Sequence, residues 1–226
     1  MHCDTLWKMM QQKAYDLMEN PWSVSIPAMK EAGTLAQFFA CFTCLEEQNM
    51  DYEKCYKQAL AMIELLKKNC EKYSEEMCMA GNYEDILKNE QNGQISAVLT
   101  IEEGGIINGK AQRLEELWEQ GVRLMTPMWN YTNCLGHPNS REPELMAKGL
   151  TKFGKEIINR SGELGMIVDV SHASDRSFRD ILECTDGPVV ASHSNCRALC
   201  RHPRNLTDEM IRRLAEAGGV AGLNLF

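Results

Sequence analysis

The residues best suited to chemistry are a scattered set of histidines and carboxylates: His2-Cys3-Asp4, Glu102-Glu103, His172 and His193. Imidazole and carboxylate groups together are the ordinary ligands of zinc and similar divalent ions. Ile167-Val168-Asp169-Val170-Ser171 leads into His172, and Val189-Val190-Ala191-Ser192 leads into His193. Residues 175–185 between them read as a helix, so the unit is strand, helix, strand. A right-handed crossover brings the C-terminal ends of two parallel strands to one rim. The two histidines are therefore expected about one strand spacing apart, ~5 Å at the backbone, close enough to share an ion. His2 and Asp4, two positions apart in an extended segment, point to one side and could grip an ion together. A carboxylate such as Glu103, arriving from another strand end, could bridge that ion to a second one. Two ions ~3.5–4 Å apart are the arrangement of many hydrolases that polarise a carbonyl.

Taken singly, each group has an ordinary explanation: a capped loop histidine, a chance HxD, a solvated pair of glutamates. Their coincidence at four strand ends is what carries weight. His137 and His202 fall in proline-containing loops and read as exposed polar residues. Cys41-Phe-Thr-Cys44 has the spacing of half a zinc knuckle, but nothing completes it, and buried packing is the better account. Gly104-Gly105 would let the backbone turn away sharply after Glu103 and leave room for a substrate.

The elements that must position these residues can be read from apolar periodicity. Strands are predicted over residues 33–44, 94–101, 121–126, 167–170, 189–191 and 218–226; a further one would lie just before or at Met1, because His2-Cys3-Asp4 sits where a first strand should end. Helices are predicted over 5–20, 51–73, 83–89, 114–120, 146–164 and 175–185, and another from Thr207 as N-cap. Buried strands alternating with amphipathic helices describe a parallel α/β protein. No glycine-rich phosphate loop follows any strand, which disfavours an open nucleotide-binding sheet. The expected fold is a TIM-type (β/α)8 barrel lacking its first and eighth strands, in a single catalytic domain over residues 1–226. The glycines at 104–105 and the histidines fall at the strand ends where such barrels build their sites.

Composition narrows the function classes. A net charge of −8 and a pI near 5.2 exclude a phosphate-tracking surface, so no nucleic acid partner is expected. No run approaches the ~18 apolar residues of a membrane span. The first residues lack the charged-then-apolar layout of a signal peptide, which makes a cytoplasmic location the expectation. The ten cysteines sit largely in apolar runs and read as reduced core residues.

The motifs His2-Cys3-Asp4-Thr5, Ile101-Glu102-Glu103-Gly104-Gly105, residues 164–172 ending in Ser171-His172, Ser192-His193-Ser194-Asn195 and Arg201-His202-Pro203-Arg204-Asn205 occur in order through the whole chain. In this they resemble the membrane (renal) dipeptidase family of binuclear zinc peptidases, microbial branch, within the amidohydrolase superfamily. The resemblance implies a zinc-dependent dipeptidase in which a hydroxide bridging two Zn2+ ions attacks the peptide bond. It implies His2 and Asp4 on one ion, His172 and His193 on the other, and Glu103, directly before Gly-Gly, shared by both. It also implies Arg204 as the anchor of the substrate carboxylate, a task that suits a guanidinium fork. Arg197 and Arg201 are expected to be surface charges. Animal enzymes of the family have a substrate-contacting histidine after the fourth strand, where this chain carries Trp129-Asn130, so these two are expected to line the dipeptide pocket. The family's Asp-Gly before HxD, and the aspartate of its eighth strand, have no counterpart here, and weak or absent activity is expected unless another chain or a fuller gene product supplies the missing parts. Other divalent metals and a homodimer fit the same family. The rival readings are a related amidohydrolase acting on N-acyl amino acids or lactams, and an inactive metal-binding remnant.

Overall fold

A computed structural model describes residues 1–225. The chain forms two compact units, residues 1–101 and Glu102 onward.

The first unit contains α1 (Thr5–Gln11), α2 (Ile26–Glu31), β1 (Ala36–Phe42), α3 (Tyr52–Lys72), β2 (Met77–Met79), α4 (Tyr83–Gln91) and β3 (Ile95–Glu102), whose last residue opens the second unit. β1 lies beside β3, and β2 pairs with β3 in parallel, Met77 opposite Ile95. Every position of β3 is buried, which explains its mostly apolar sequence. Asp51 caps α3 by accepting from the Lys54 N–H at 3.0 Å, and Cys55, Ala59, Met62, Leu66 and Asn69 form the buried stripe of that helix.

Three features of this unit differ from the sequence expectation. Helix α1 ends at Gln11 rather than at residue 20, because the following segment is tied into turns by Asp16. One Asp16 oxygen accepts from the Met18 and Glu19 N–H groups at 2.9 Å each, and the other from Lys72 Nζ at 2.8 Å and Tyr73 Oη at 2.5 Å. Strand β2 has only three residues, too few to show a period. Helix α2 is a six-residue turn started by the Ser25 cap and a proline in its first positions. Among the described residues no regular strand precedes β1, but the Cys3 carbonyl accepts from the Ala40 N–H at 3.0 Å and straps the HxD stretch to β1.

The second unit continues with a 3-10 turn (Gly104–Ile107), α5 (Gln112–Glu119), β4 (Val122–Thr126), α6 (Pro143–Met146), α7 (Lys152–Glu163), β5 (Ile167–Asp169), α8 (Asp175–Cys184), β6 (Val189–Val190) and α9 (Asp208–Glu216). β4, β5 and β6 are parallel neighbours, with Leu124 opposite Ile167 and Val168 opposite Val189. Val168, Val170, Phe178, Ile181, Val189, Leu206, Met210 and Leu214 form the apolar core beneath them. The expected strand over 218–226 is reduced to a single parallel bridge, Ala191 to Ala221, and Phe226 lies outside the described residues. The helix expected over 146–164 starts only at Lys152, as α7, and α6 ends at Met146. A Cβ at Gly149 would collide with the Asp180 carboxylate, the Leu150 N–H donates to that carboxylate at 2.9 Å, and Thr151 caps a fresh start for α7. Ser174 and Thr207 cap α8 and α9, the latter as expected.

All ten cysteines are free thiols, with Cys41 fully buried. Among the described residues no helix is long and apolar enough to cross a membrane.

Candidate metal centre

In the second unit, three strand ends bring donor atoms together. Glu102 is the last residue of β3, His172 lies three residues beyond β5, and His193 three beyond β6. The Nε2 atoms of the two histidines are 3.1 Å apart, and Glu102 Oε1 lies 3.1 Å from His172 Nε2 and 3.5 Å from His193 Nε2. The imidazole ring centres are 5.1 Å apart, as one strand spacing requires. His172 reaches this position through a left-handed backbone (φ 69°), a strained conformation for a residue with a Cβ. Burial pushes its pKa down to about 4, with Glu102 opposing and the Arg204 charge adding. At neutral pH it is therefore an uncharged ring, the form that binds metals.

Each ring is oriented from behind. His172 Nδ1 faces Asn130 Oδ1 at 3.1 Å, and His193 Nδ1 faces Ser192 Oγ at 2.7 Å. An amide oxygen only accepts, so His172 is assigned the Nδ1–H tautomer. Ser192 Oγ gives its one proton to Asp169 Oδ2 at 2.6 Å, so it too accepts, and His193 carries its proton on Nδ1. Both Nε2 lone pairs then point at each other and at a buried carboxylate. Without a cation this cluster of acceptors is repulsive; with a divalent ion it is a ligand set. The residues present fit such an ion. Asp169 is fully buried, and the donors from Ser192 and Ser171 on its carboxylate favour its charged form against the cost of burial.

The neighbouring Glu103 is turned elsewhere. Its Oε1 accepts from the Gly105 N–H at 3.0 Å and Asn133 Nδ2 at 2.6 Å, and its Oε2 from the Trp129 N–H at 3.0 Å. Glu103 has a left-handed backbone, φ 83° and ψ 73°, and is fully buried. Burial raises its pKa to about 7 against the effect of those three donors. Sequence reasoning placed the shared carboxylate at Glu103, whereas the structure brings Glu102 to the histidines. The glycines that follow serve space: a Cβ on Gly105 would strike the Glu103 carboxylate and Asn133, and one on Gly104 would press on Pro127 and Leu135. They make room for this knot, and neither has a positive φ.

The other expected site residues divide as follows. Arg204 is half-buried and aimed by two bonds, Nη1 to Ser194 Oγ at 2.7 Å and Nη2 to the His193 carbonyl at 2.9 Å. Burial lowers its pKa to about 10, with Asp169 and Glu102 opposing, so it remains cationic. The Asn130 side chain engages His172, and the Trp129 ring packs 6.1 Å from the same imidazole and 5.4 Å from the Tyr131 ring, centre to centre. In the first unit, His2 Nε2 lies 3.1 Å from Asp4 Oδ1, so the two side chains share a side as expected, and the Asp4 carboxylate is not used to cap α1. His202 is exposed, as anticipated. His137 is half-buried, its Nδ1 against the Gly149 carbonyl at 2.9 Å. Arg197 is no loose surface charge: it grips Asp175 with two bonds of 2.9 and 2.7 Å and the carbonyls of Asn205 and Pro203 at 2.7 and 2.9 Å. Sequence reasoning gave no role to Asp169, Ser192 or Asn133. The signal for the first two was their place in the same strand-end motifs as the histidines.

A surface cavity of about 890 Å³ on this unit is lined by Arg141, Arg176, Arg179, Arg197 and Arg201 but by none of the candidate ligands. Three of these cations are paired, with Asp180, Glu209 and Asp175 respectively.

Fold and site together define a parallel α/β protein with divalent-metal donors gathered at the C-terminal ends of its strands. The sequence matches the model of the membrane dipeptidase family (peptidase family M19) over residues 1–226, and the chain belongs to that family. It is 36% identical over 146 residues to a protein in the pqqA 5′ region of Klebsiella pneumoniae, covering 62% of this chain and 53% of that protein. It is 32% identical over 155 residues to a protein in the PQQ-III 3′ region of Acinetobacter calcoaceticus, covering 67% and 49%. The chain thus spans about half the length of these relatives. Among solved structures it resembles dipeptidase AC, a metallo peptidase of family M19, with a TM-score of 0.88 and 24% identity over 98% of this chain and 70% of that one. It also resembles a metallo peptidase from Rhodobacter sphaeroides liganded with a phosphinate mimic of the dipeptide L-Ala-D-Ala, with a TM-score of 0.87 and 22% identity over 98% and 72%. The fold is that of these dipeptidases, in agreement with the TIM-type expectation.

Proposed function

We propose that the chain is a zinc-dependent dipeptidase that hydrolyses the peptide bond of dipeptides, acting as one catalytic domain with two zinc ions and a hydroxide shared between them. The observation that carries the reading is the buried meeting of two imidazole lone pairs and the Glu102 carboxylate within 3.1–3.5 Å. In this reading Glu102, His172 and His193 serve one ion, and His2 and Asp4 hold a second. When bound, the ions supply a water acidified towards pKa ~7 and polarise the scissile carbonyl.

The chain's own residues bind and orient the substrate. Arg204 uses one N–H of each terminal nitrogen on Ser194 and His193, which leaves further N–H groups of its fork to hold the dipeptide carboxylate. Trp129 walls the pocket beside His172, and Asn130 holds that ring. The mimic of L-Ala-D-Ala in the Rhodobacter sphaeroides protein supports a substrate of dipeptide size. The proposed setting is cytoplasmic and the proposed assembly a homodimer.

The test is hydrolysis by the purified 226-residue chain, stripped of metal and then supplied with zinc, followed chromatographically on L-Ala-D-Ala, L-Ala-L-Ala, an N-acetyl amino acid and a lactam. Zinc-dependent release of free amino acids from the dipeptides alone is the expected result. Turnover of only the acylated or cyclic compounds would move the chain to the related amidohydrolases. Zinc uptake without turnover of anything would make it a metal-binding remnant.

A further inference from the structure

We propose that Asp169 and Ser192 are positioning residues that fix the tautomer and aim of His193, presenting its Nε2 lone pair to the metal. The inference rests on the metal reading above but addresses residues which that reading leaves unused.

The geometry is a directed chain of hydrogen bonds. Asp169 ends β5 and is fully buried, and its carboxylate receives four donors. Oδ1 accepts from the Ser171 N–H at 2.9 Å and the Ser192 N–H at 2.8 Å; Oδ2 accepts from Thr126 Oγ1 at 2.8 Å and Ser192 Oγ at 2.6 Å. These partners come from the tips of three adjacent strands, β4, β5 and β6, so the carboxylate fixes their ends against one another. Ser192 has one hydroxyl proton, and the 2.6 Å bond commits it to Asp169. Its oxygen can then only accept from His193 Nδ1, at 2.7 Å. The ring is left with its lone pair on Nε2, on the side of Glu102 and His172. The His193 N–H also donates to Ser171 Oγ at 3.2 Å, which holds the backbone beneath the ring. A charged group behind a histidine ligand raises the basicity of the ligating nitrogen, and loss of such a partner commonly weakens metal affinity 10–100-fold. Here the charge acts through a serine hydroxyl. His172 has only the neutral amide of Asn130 behind it, so the two ligands are supported unequally.

The decisive measurements are zinc affinity, by competition with a chromophoric chelator, and the His193 tautomer, by 15N imidazole NMR of the metal-free protein. Wild type is expected to show His193 as the Nδ1–H tautomer. Ser192→Ala is expected to bind zinc roughly 10–100-fold more weakly and to move the His193 proton to Nε2, where Glu102 can accept it. Ser192→Thr keeps the hydroxyl and should restore both readouts, which a merely structural role for the site would not require. Asp169→Asn should weaken zinc similarly if it folds; if it does not, the Ser192 pair decides. Wild-type zinc affinity in Ser192→Ala, or an Nε2–H tautomer in wild type, would overturn the proposal. A wild-type protein that takes up no zinc would instead refute the metal reading, and the tautomer spectra would still decide whether Ser192 positions the ring.

Discussion

Glu102 and Glu103 are adjacent and chemically identical, and the structure gives them opposite tasks, which a pair of substitutions should separate. Glu103 is knotted to three donors from Gly105, Trp129 and Asn133, two of them backbone N–H groups. Glu103→Gln keeps an acceptor for Gly105 and Asn133 but sets an NH2 group against the Trp129 N–H. One buried donor loses its partner, at about 1–3 kcal/mol. Glu103→Ala strands both backbone N–H groups, at about 2–6 kcal/mol, a large part of the 5–15 kcal/mol that holds a domain together. Urea unfolding in the presence of EDTA reads this without any contribution from metal. With a slope of about 2 kcal/mol per M, the glutamine variant should unfold roughly 0.5–1.5 M earlier than wild type. Glu102→Gln should leave the metal-free midpoint nearly in place but weaken zinc binding by more than the 10–100-fold typical of an indirect partner. The reasoning fails if Glu103→Gln loses zinc with an unchanged midpoint while Glu102→Gln keeps its zinc.

Further outcomes can be checked on the same protein. Zinc at about 100 times its dissociation constant should stabilise by about 2.7 kcal/mol, raising the thermal midpoint by roughly 5–10 °C over the EDTA-treated sample. The Asp16 carboxyl is held down to about 2 by Lys72, Tyr73 and the backbone N–H groups of Glu19 and Met18, which outweigh a rise from burial. Because the folded pKa lies below the unfolded one (~3.9), its contribution is present above pH ~4 and fades as the pH falls towards 2. Asp16→Asn should therefore be less stable than wild type at pH 6, with the two unfolding curves converging below pH ~2. Arg197→Ala removes a two-bond pair with Asp175 and two carbonyl contacts that pin the segment carrying Arg204. A loss of about 1–3 kcal/mol is expected in chemical denaturation, and Arg197→Lys should not restore it, because an ammonium cannot reproduce the fork.

The strand-helix-strand reasoning worked where one strong local pattern decided the structure. β3 and β4 are largely buried strands, each beside its own parallel neighbour, and the histidines after β5 and β6 meet because parallel neighbours end at one rim. The reasoning failed where tertiary contacts cut across local pattern. Residues 12–20 carry helical spacing, yet Asp16 and Asn69 draw them into turns, with the Leu17 N–H on Asn69 Oδ1 at 3.0 Å. The break before α7 depends on Asp180, thirty residues away in sequence, whose carboxylate leaves no room for a side chain at position 149. Arg197 read as a surface charge because its partner Asp175 belongs to the start of another helix.

The choice between the two glutamates was beyond sequence periodicity for a physical reason. Alternation assigns residues to faces only when one face is wet, and every residue of β3 is buried, so the pattern gives no preference for 102 over 103. What decides is the backbone just past the strand. Glu103 adopts a left-handed conformation, which an L-residue holds only when its surroundings compensate the strain. The three donors gathered on its carboxylate are that compensation. They pull the Glu103 side chain into the loop formed by residues 105, 129 and 133, while Glu102, still in regular strand geometry, keeps its side chain among the histidines. The close approach of Gly105 to this knot excludes a Cβ there, so the Gly-Gly pair and Asn133 are as necessary to the placement of Glu102 as the strand itself. The doubled glutamate is thus the proposed ligand followed by the anchor that leaves it among the histidines.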